Sequence, residues 1–86
     1  MRLSQLNHPA FWQDLRLLSL FDLTNLEQGL KLHRDSDAEL QAAANRLFQN
    51  GVITAEDGGY LTPFGVSLLE HLDHLLTALV PAASPN

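Results

Sequence analysis

Gln41, Asn45 and Gln49 stand four residues apart, so on a helix they share one line of a single face. Carboxamides in that arrangement can pair bidentately with adenine in a major groove. Arg46 lies beside them, within reach of a phosphate or a guanine edge. Lys31 and Arg34 come earlier, where a helix crossing the DNA backbone would meet phosphates. Lys31, Arg34, Gln41, Asn45, Arg46 and Gln49 are therefore the candidate contacts to duplex DNA. A plainer reading stands beside this one. Uncharged amides also solvate an outer helix face, and Lys31 and Arg34 can pair with Asp35 or Asp37.

Other chemistry has less to work with. His71 and His74 are three residues apart, between Glu70 and Asp73, and could bring two imidazoles to one metal ion. No third ligand stands at a convincing spacing, so solvent-facing histidines and no metal are expected. The chain has no cysteine, no glycine-rich phosphate loop and no Gly-x-Ser-x-Gly segment. Its carboxylates are scattered over expected solvent faces, so no catalytic residue is assigned. A non-enzyme without cofactors is the expectation.

Charge weighs against nucleic acid. Five Lys and Arg face ten Asp and Glu, a formal net charge of −5. Duplex binding relies on neutralising several phosphates, and only Arg2, Arg16, Lys31, Arg34 and Arg46 are available. At 86 residues the chain supports one domain with one small core. Without cysteine that core has no disulfide to reinforce it. No apolar run approaches the ~20 residues that cross a bilayer, and no secretory leader is visible, so a cytoplasmic protein is expected.

The elements that must position these residues follow from caps and periodicity. Asn7-His8-Pro9 opens a first helix, and Phe11, Leu15, Leu18 and Phe21 form its apolar stripe, widened by Leu17 and Leu20. Trp12 covers the edge of that stripe. Thr24-Asn25-Leu26-Glu27 has capping-box form and predicts a short helix over 25–32, burying Leu26, Gly29 and Leu30. Gly29 weakens that helix, and a rival reading takes 30–33 as a short strand. Ser36-Asp37-Ala38-Glu39 is a second capping box, opening a helix that runs to Asn50 and stops at Gly51. Leu40, Ala43, Ala44, Leu47 and Phe48 form its inner face, and Asp37, Gln41, Asn45 and Gln49 its outer face.

Beyond Gly51 the period shortens. Residues 52–62 read as a small β-hairpin turning at Asp57-Gly58-Gly59. Thr62-Pro63 then caps a long helix to about Val80, which Pro81 ends. Residues 1–80 make a single domain, and 81–86 a frayed, disordered tail.

Arg46-Leu47-Phe48-Gln49-Asn50-Gly51-Val52-Ile53, the hairpin, and Gly59-Tyr60-Leu61-Thr62-Pro63-Phe64-Gly65 together resemble the second half of bacterial winged-helix regulators. In those proteins a recognition helix ends at a glycine, a wing follows, and a Tyr-x-Leu-Thr segment enters the next helix. Gly29-Leu30-Lys31-Leu32-His33, Arg46-Leu47-Phe48 and Asp57-Gly58-Gly59-Tyr60-Leu61-Thr62 are similar to a family of short, largely uncharacterised gammaproteobacterial proteins. Its members are sometimes labelled DNA-binding. The resemblance implies a mainly α, winged helix-turn-helix-like domain with a small β-hairpin and a long C-terminal helix. This chain departs from regulator practice in carrying Glu56 and Asp57 at the wing tip, and Asp35, Asp37 and Glu39 before and at the start of the expected recognition helix.

Two functions from different classes follow. One is a small transcription regulator reading DNA through the helix over 36–50. The other is an acidic module that keeps the scaffold and binds protein. The resemblance favours the first and the charge favours the second; the outer-face amides and nearby cations place DNA binding ahead. A homodimer is also expected, because Leu68, Leu72, Leu75 and Leu79 repeat at the spacing of a coiled-coil seam. Leu69 and Leu76 broaden that surface beyond what covering a core of Phe11, Leu15, Leu47 and Phe48 requires.

Overall fold

A computed structural model describes residues 3–80; the expected tail at 81–86 and the cation Arg2 lie outside the described residues. A one-turn 3-10 helix, Leu3–Asn7, leads into α1, Pro9–Leu18. Strand β1, Leu30–Lys31, follows, then α2, Ala38–Gln49, strands β2, Ile53–Ala55, and β3, Gly58–Leu61, and finally α3, Pro63–Leu79. The molecule is mainly helical, with one three-stranded antiparallel sheet in the order β1-β3-β2.

The caps explain where the helices begin. His8, not Asn7, is the N-cap of α1, with its Nδ1 accepting from the Ala10 amide and Pro9 in the first turn. Asp37, not Ser36, caps α2 by accepting from the Glu39 amide at 2.8 Å. Thr62 caps α3 as expected, its hydroxyl accepting from the Gly65 amide at 3.0 Å. At the other end of α2, the Val52 amide donates to the Leu47 carbonyl and the Gly51 amide to Phe48, with Gly51 at φ 76°. That pair of bonds is a Schellman stop.

The expected helix over 25–32 does not form. Asp22 intervenes, because its Oδ1 accepts from both the Thr24 hydroxyl at 2.6 Å and the Thr24 amide at 2.8 Å. A side chain that closes a local turn in this way competes with helix initiation. Thr24 is thereby spent as a donor, the chain makes two short turns, and Leu26 is left exposed. The strand reading of this region holds in shortened form, with Leu30 opposite Gly59 and Lys31 opposite Gly58. The Leu32 amide extends the pairing to the Asp57 carbonyl at 2.8 Å. Gly29 serves a strand contact, since a Cβ there would stand 3.0 Å from the Gly59 carbonyl and from the Tyr60 ring.

The hairpin is also shifted. The turn falls at Glu56–Asp57, and Gly58 and Gly59 belong to β3. A side chain at Gly58 would meet the Leu30 carbonyl, so the absence of a Cβ is what admits β1 as a third strand. Between Ile53 and Ala55 the register slips, and the Thr54 hydroxyl accepts from the Tyr60 amide at 2.9 Å within the irregularity.

The core is Leu17, Leu18, Phe21, Ala43, Ala44, Leu47, Val52, Ile53 and Leu69. It differs from the expected one in three ways. Leu17 and Ile53 are its largest fully buried side chains, Phe11 and Leu15 are only half-buried, and Leu20 is exposed because α1 ends at Leu18. The inner face expected of α2 is inward as read. Gly65 sets the start of α3 directly against the Val52 carbonyl, an approach that any Cβ would block.

Two outcomes follow. Gly65→Ala is expected to cost about 3 kcal/mol, because the obstruction is backbone and cannot repack. Ser67→Ala, exposed two residues on, stays within about 0.5 kcal/mol, and urea denaturation of the pair measures the contrast. The Thr24 hydroxyl, and then its amide, hold the Asp22 carboxyl below its ordinary value, against a small opposing effect of desolvation. The stability this supplies is present above the ordinary value and lost as pH falls through the lowered one. In a carboxyl-carbon NMR titration Asp22 protonates below its ordinary pH, and Thr24→Val moves it back up.

Candidate functional site

The six candidate DNA contacts do not form one surface. Lys31, Arg34, Gln41 and Asn45 line a shared open cleft of about 870 Å³ between the sheet and α2, together with His33, Phe48, Glu56 and Asp57. Gln49 is exposed but lies outside that cleft. Arg46 points to another part of the molecule.

The partners of these side chains matter more than their positions. Arg46 reaches across to α1, where its Nε donates to Asp14 at 2.9 and 3.2 Å and its Nη2 stands 2.8 Å from the same carboxylate. A further bond runs from Nη2 to the Gln13 side-chain oxygen Oε1 at 3.3 Å. Both charged side chains are largely covered, at 36% and 23% exposure, so this forked pair clamps α2 onto α1. Gln41 turns its amide nitrogen back on its own chain, donating to the Ser36 carbonyl at 2.7 Å and to Arg34 at 3.0 Å. Lys31 sits 3.3 Å from Asp57 at the hairpin turn, with both side chains wet. The expected partners Asp35 and Asp37 are not the ones used. Among the described residues Arg34 enters no ion pair.

The cleft is therefore electrically mixed. Glu56 and Asp57 stand against Lys31 and Arg34 within it, and Asp37 and Glu39 occupy the start of α2. Carboxylates there complement the positive end of the helix, and they oppose an approaching phosphate.

A second surface is apolar. Between α1 and α3 runs a groove of about 630 Å³, with Leu18, Leu47 and Val52 as its floor. Phe11 and Leu15 form one wall, and Phe64, Leu68, Leu72 and Leu75 the other. Asp14, Asn50 and His71 are the polar groups at its border. The leucines of α3 divide here. Leu69 is buried, Leu68 and Leu72 pack partly on the core, and Leu75, Leu76 and Leu79 are 57%, 48% and 75% exposed.

Trp12 anchors the outer side of α1, donating to the Leu6 carbonyl at 2.7 Å with its ring edge-on to Phe11. His71 and His74 are exposed, and among the described residues no group of three or more His, Cys, Asp or Glu could hold a metal ion. No described helix is long and apolar enough to cross a membrane.

The groove was missed by sequence reasoning because Phe11 and Leu15 fit a core stripe equally well. Phe64, an aromatic in the first turn of α3 on the flank away from Leu69, was the signal for it. Asp14 carried no signal at all, since its partner lies 32 residues away.

The chain belongs to a family of unknown function, DUF5669, whose sequence model matches residues 5–80. No curated protein and no solved structure matches it.

The two ion pairs differ in worth. A double-mutant cycle on Arg46 and Asp14 is expected to give a coupling of about 1–3 kcal/mol, because the pair is forked and half-sheltered. The same cycle on Lys31 and Asp57 gives less than about 0.5 kcal/mol, as exposed pairs do.

Proposed function

We propose that this chain is a non-enzymatic protein-interaction module on a winged-helix-like scaffold, and that duplex DNA is not its ligand. The scaffold reading is supported by the strand order β1-β3-β2, with α2 between β1 and β2 and a hairpin leading into a final helix. It keeps the recognition-helix position and the wing. It lacks the helix over 25–32 that would cross a DNA backbone ahead of α2.

One observation carries the functional choice. Three of the six groups suited to hold DNA are already engaged within the protein: Arg46 by Asp14, Lys31 by Asp57, and the Gln41 amide by two carbonyls. Freeing Arg46 for a phosphate would leave Asp14 without its counter-charge between two packed helices. The groove between α1 and α3 offers the opposite: apolar walls, few polar groups and, among the described residues, no side chain filling it. Grooves of that kind take an amphipathic helix.

A second reading rests on the mixed cleft. Lys31, Arg34, Gln41 and Asn45 do converge there, as a phosphate-tracking surface would require. Fluorescence anisotropy with a random labelled duplex separates the two. Phosphate contacts give an affinity falling with salt by a slope of about 0.9 per phosphate neutralised. The expected result is no binding at low salt. Saturable binding with a slope of about 3 or more would overturn the proposal in favour of a DNA-associated regulator.

A further inference from the structure

The distal half of α3 is bare on the side that the proximal half uses for packing. Leu75, Leu76 and Leu79 continue the stripe of Leu68 and Leu72, and Val80 extends it. Residues 75–80 contain no charged side chain, while Glu70 and Asp73 lie exposed ahead of them. Leu75 belongs both to this stripe and to the wall of the groove between α1 and α3. Projecting ridge and receiving groove are thus one continuous patch.

We propose that the occupant of the groove is the distal half of α3 from a second copy, so that two copies exchange helix ends about a two-fold axis near Leu72. This rests on the reading of the groove as a protein-binding surface. An isologous contact requires one patch that is both knob and hole, and this patch is both. Helix spacing fits the arrangement. In an antiparallel pair centred on Leu72, Leu79 of one copy lies opposite Gly65 of the other, each seven residues from the axis. Leu76 then lies opposite Leu68, so bare distal leucines meet the groove wall beside Phe64.

Area agrees with a second copy, and the contact itself is neutral. Each copy carries −5, and repulsion is least where the contact is neutral. Asp14, the one carboxylate at the groove, is already neutralised by Arg46. Phe64, Leu75, Leu76, Leu79 and Val80 are each about half exposed or more. Together they present on the order of 500 Å² of apolar surface per copy, at the upper end for a monomer's largest patch. Two such patches reach about 1,000 Å², where specific interfaces begin.

The experiment has two parts. Sedimentation equilibrium at tens of micromolar is expected to give twice the chain mass of 9.5 kDa. Leu79→Glu, at a position 75% exposed, should keep the circular dichroism spectrum and weaken association about tenfold or more. Next, a nitroxide is placed on Thr77→Cys, an exposed site off the leucine stripe, and mixed with isotope-labelled unmodified chain. Broadening of labelled amides around Phe64–Leu68 supports the exchange. A monomer mass up to several hundred micromolar overturns it. So does a dimer whose broadening is confined to the end of α3, as a parallel pair would give. Either failure leaves the protein-binding reading standing, whereas salt-dependent duplex binding would remove that reading itself.

Discussion

One hydroxyl holds the second half of this protein in register. The Thr62 side chain donates to the Gly51 carbonyl at 2.6 Å, has the Val52 carbonyl oxygen 3.1 Å away, and accepts from the Gly65 amide. The Thr62 amide meanwhile donates to the Val52 carbonyl at 3.0 Å. The end of α2, the base of the hairpin and the start of α3 therefore meet within a few ångströms. Each supplies backbone groups that would otherwise lack partners. The Schellman stop delivers Val52 to this point, and Gly65 lets α3 close over it. The direction in which α3 leaves the body starts from this junction.

Much of that junction is legible in the sequence, because its parts are local. Thr62-Pro63 announces a cap, Gly51 a helix stop, and the spacing of Ala43, Ala44 and Leu47 an inward face. Each signal acts over one or two turns. The failures share the opposite property. A capping box at Thr24–Glu27 lost to an aspartate two residues upstream, whose side chain reached Thr24 first. The turn at Asp57-Gly58-Gly59 moved by a residue because Gly58 was needed for the approach of β1, where its strand partner Lys31 lies 27 residues away in the chain.

The candidate site was less legible for the same reason. A list of cations and amides says which groups are present, not which are free. Arg46 sits on the expected helix, yet its partner lies on α1, and that pairing turns a prospective DNA contact into a helix clamp. Gln41 occupies the outer face as read, yet it spends its donors on the loop that precedes its own helix. The position of a side chain follows from periodicity; its availability follows from tertiary contacts.

The brevity of the outer strands has a consequence for how this protein can be recognised. Both edges of the sheet are poor templates: β1 is two residues long, and β2 has three with an irregular register and a hydroxyl standing in for a ladder bond. An incoming extended peptide would find too few aligned amides and carbonyls to add as a further strand. The same shortness shields the fold from edge-to-edge stacking, the first step towards fibrous assembly. The surfaces left open to contact are then the side chains of helices, where shape and polarity count for more than backbone geometry.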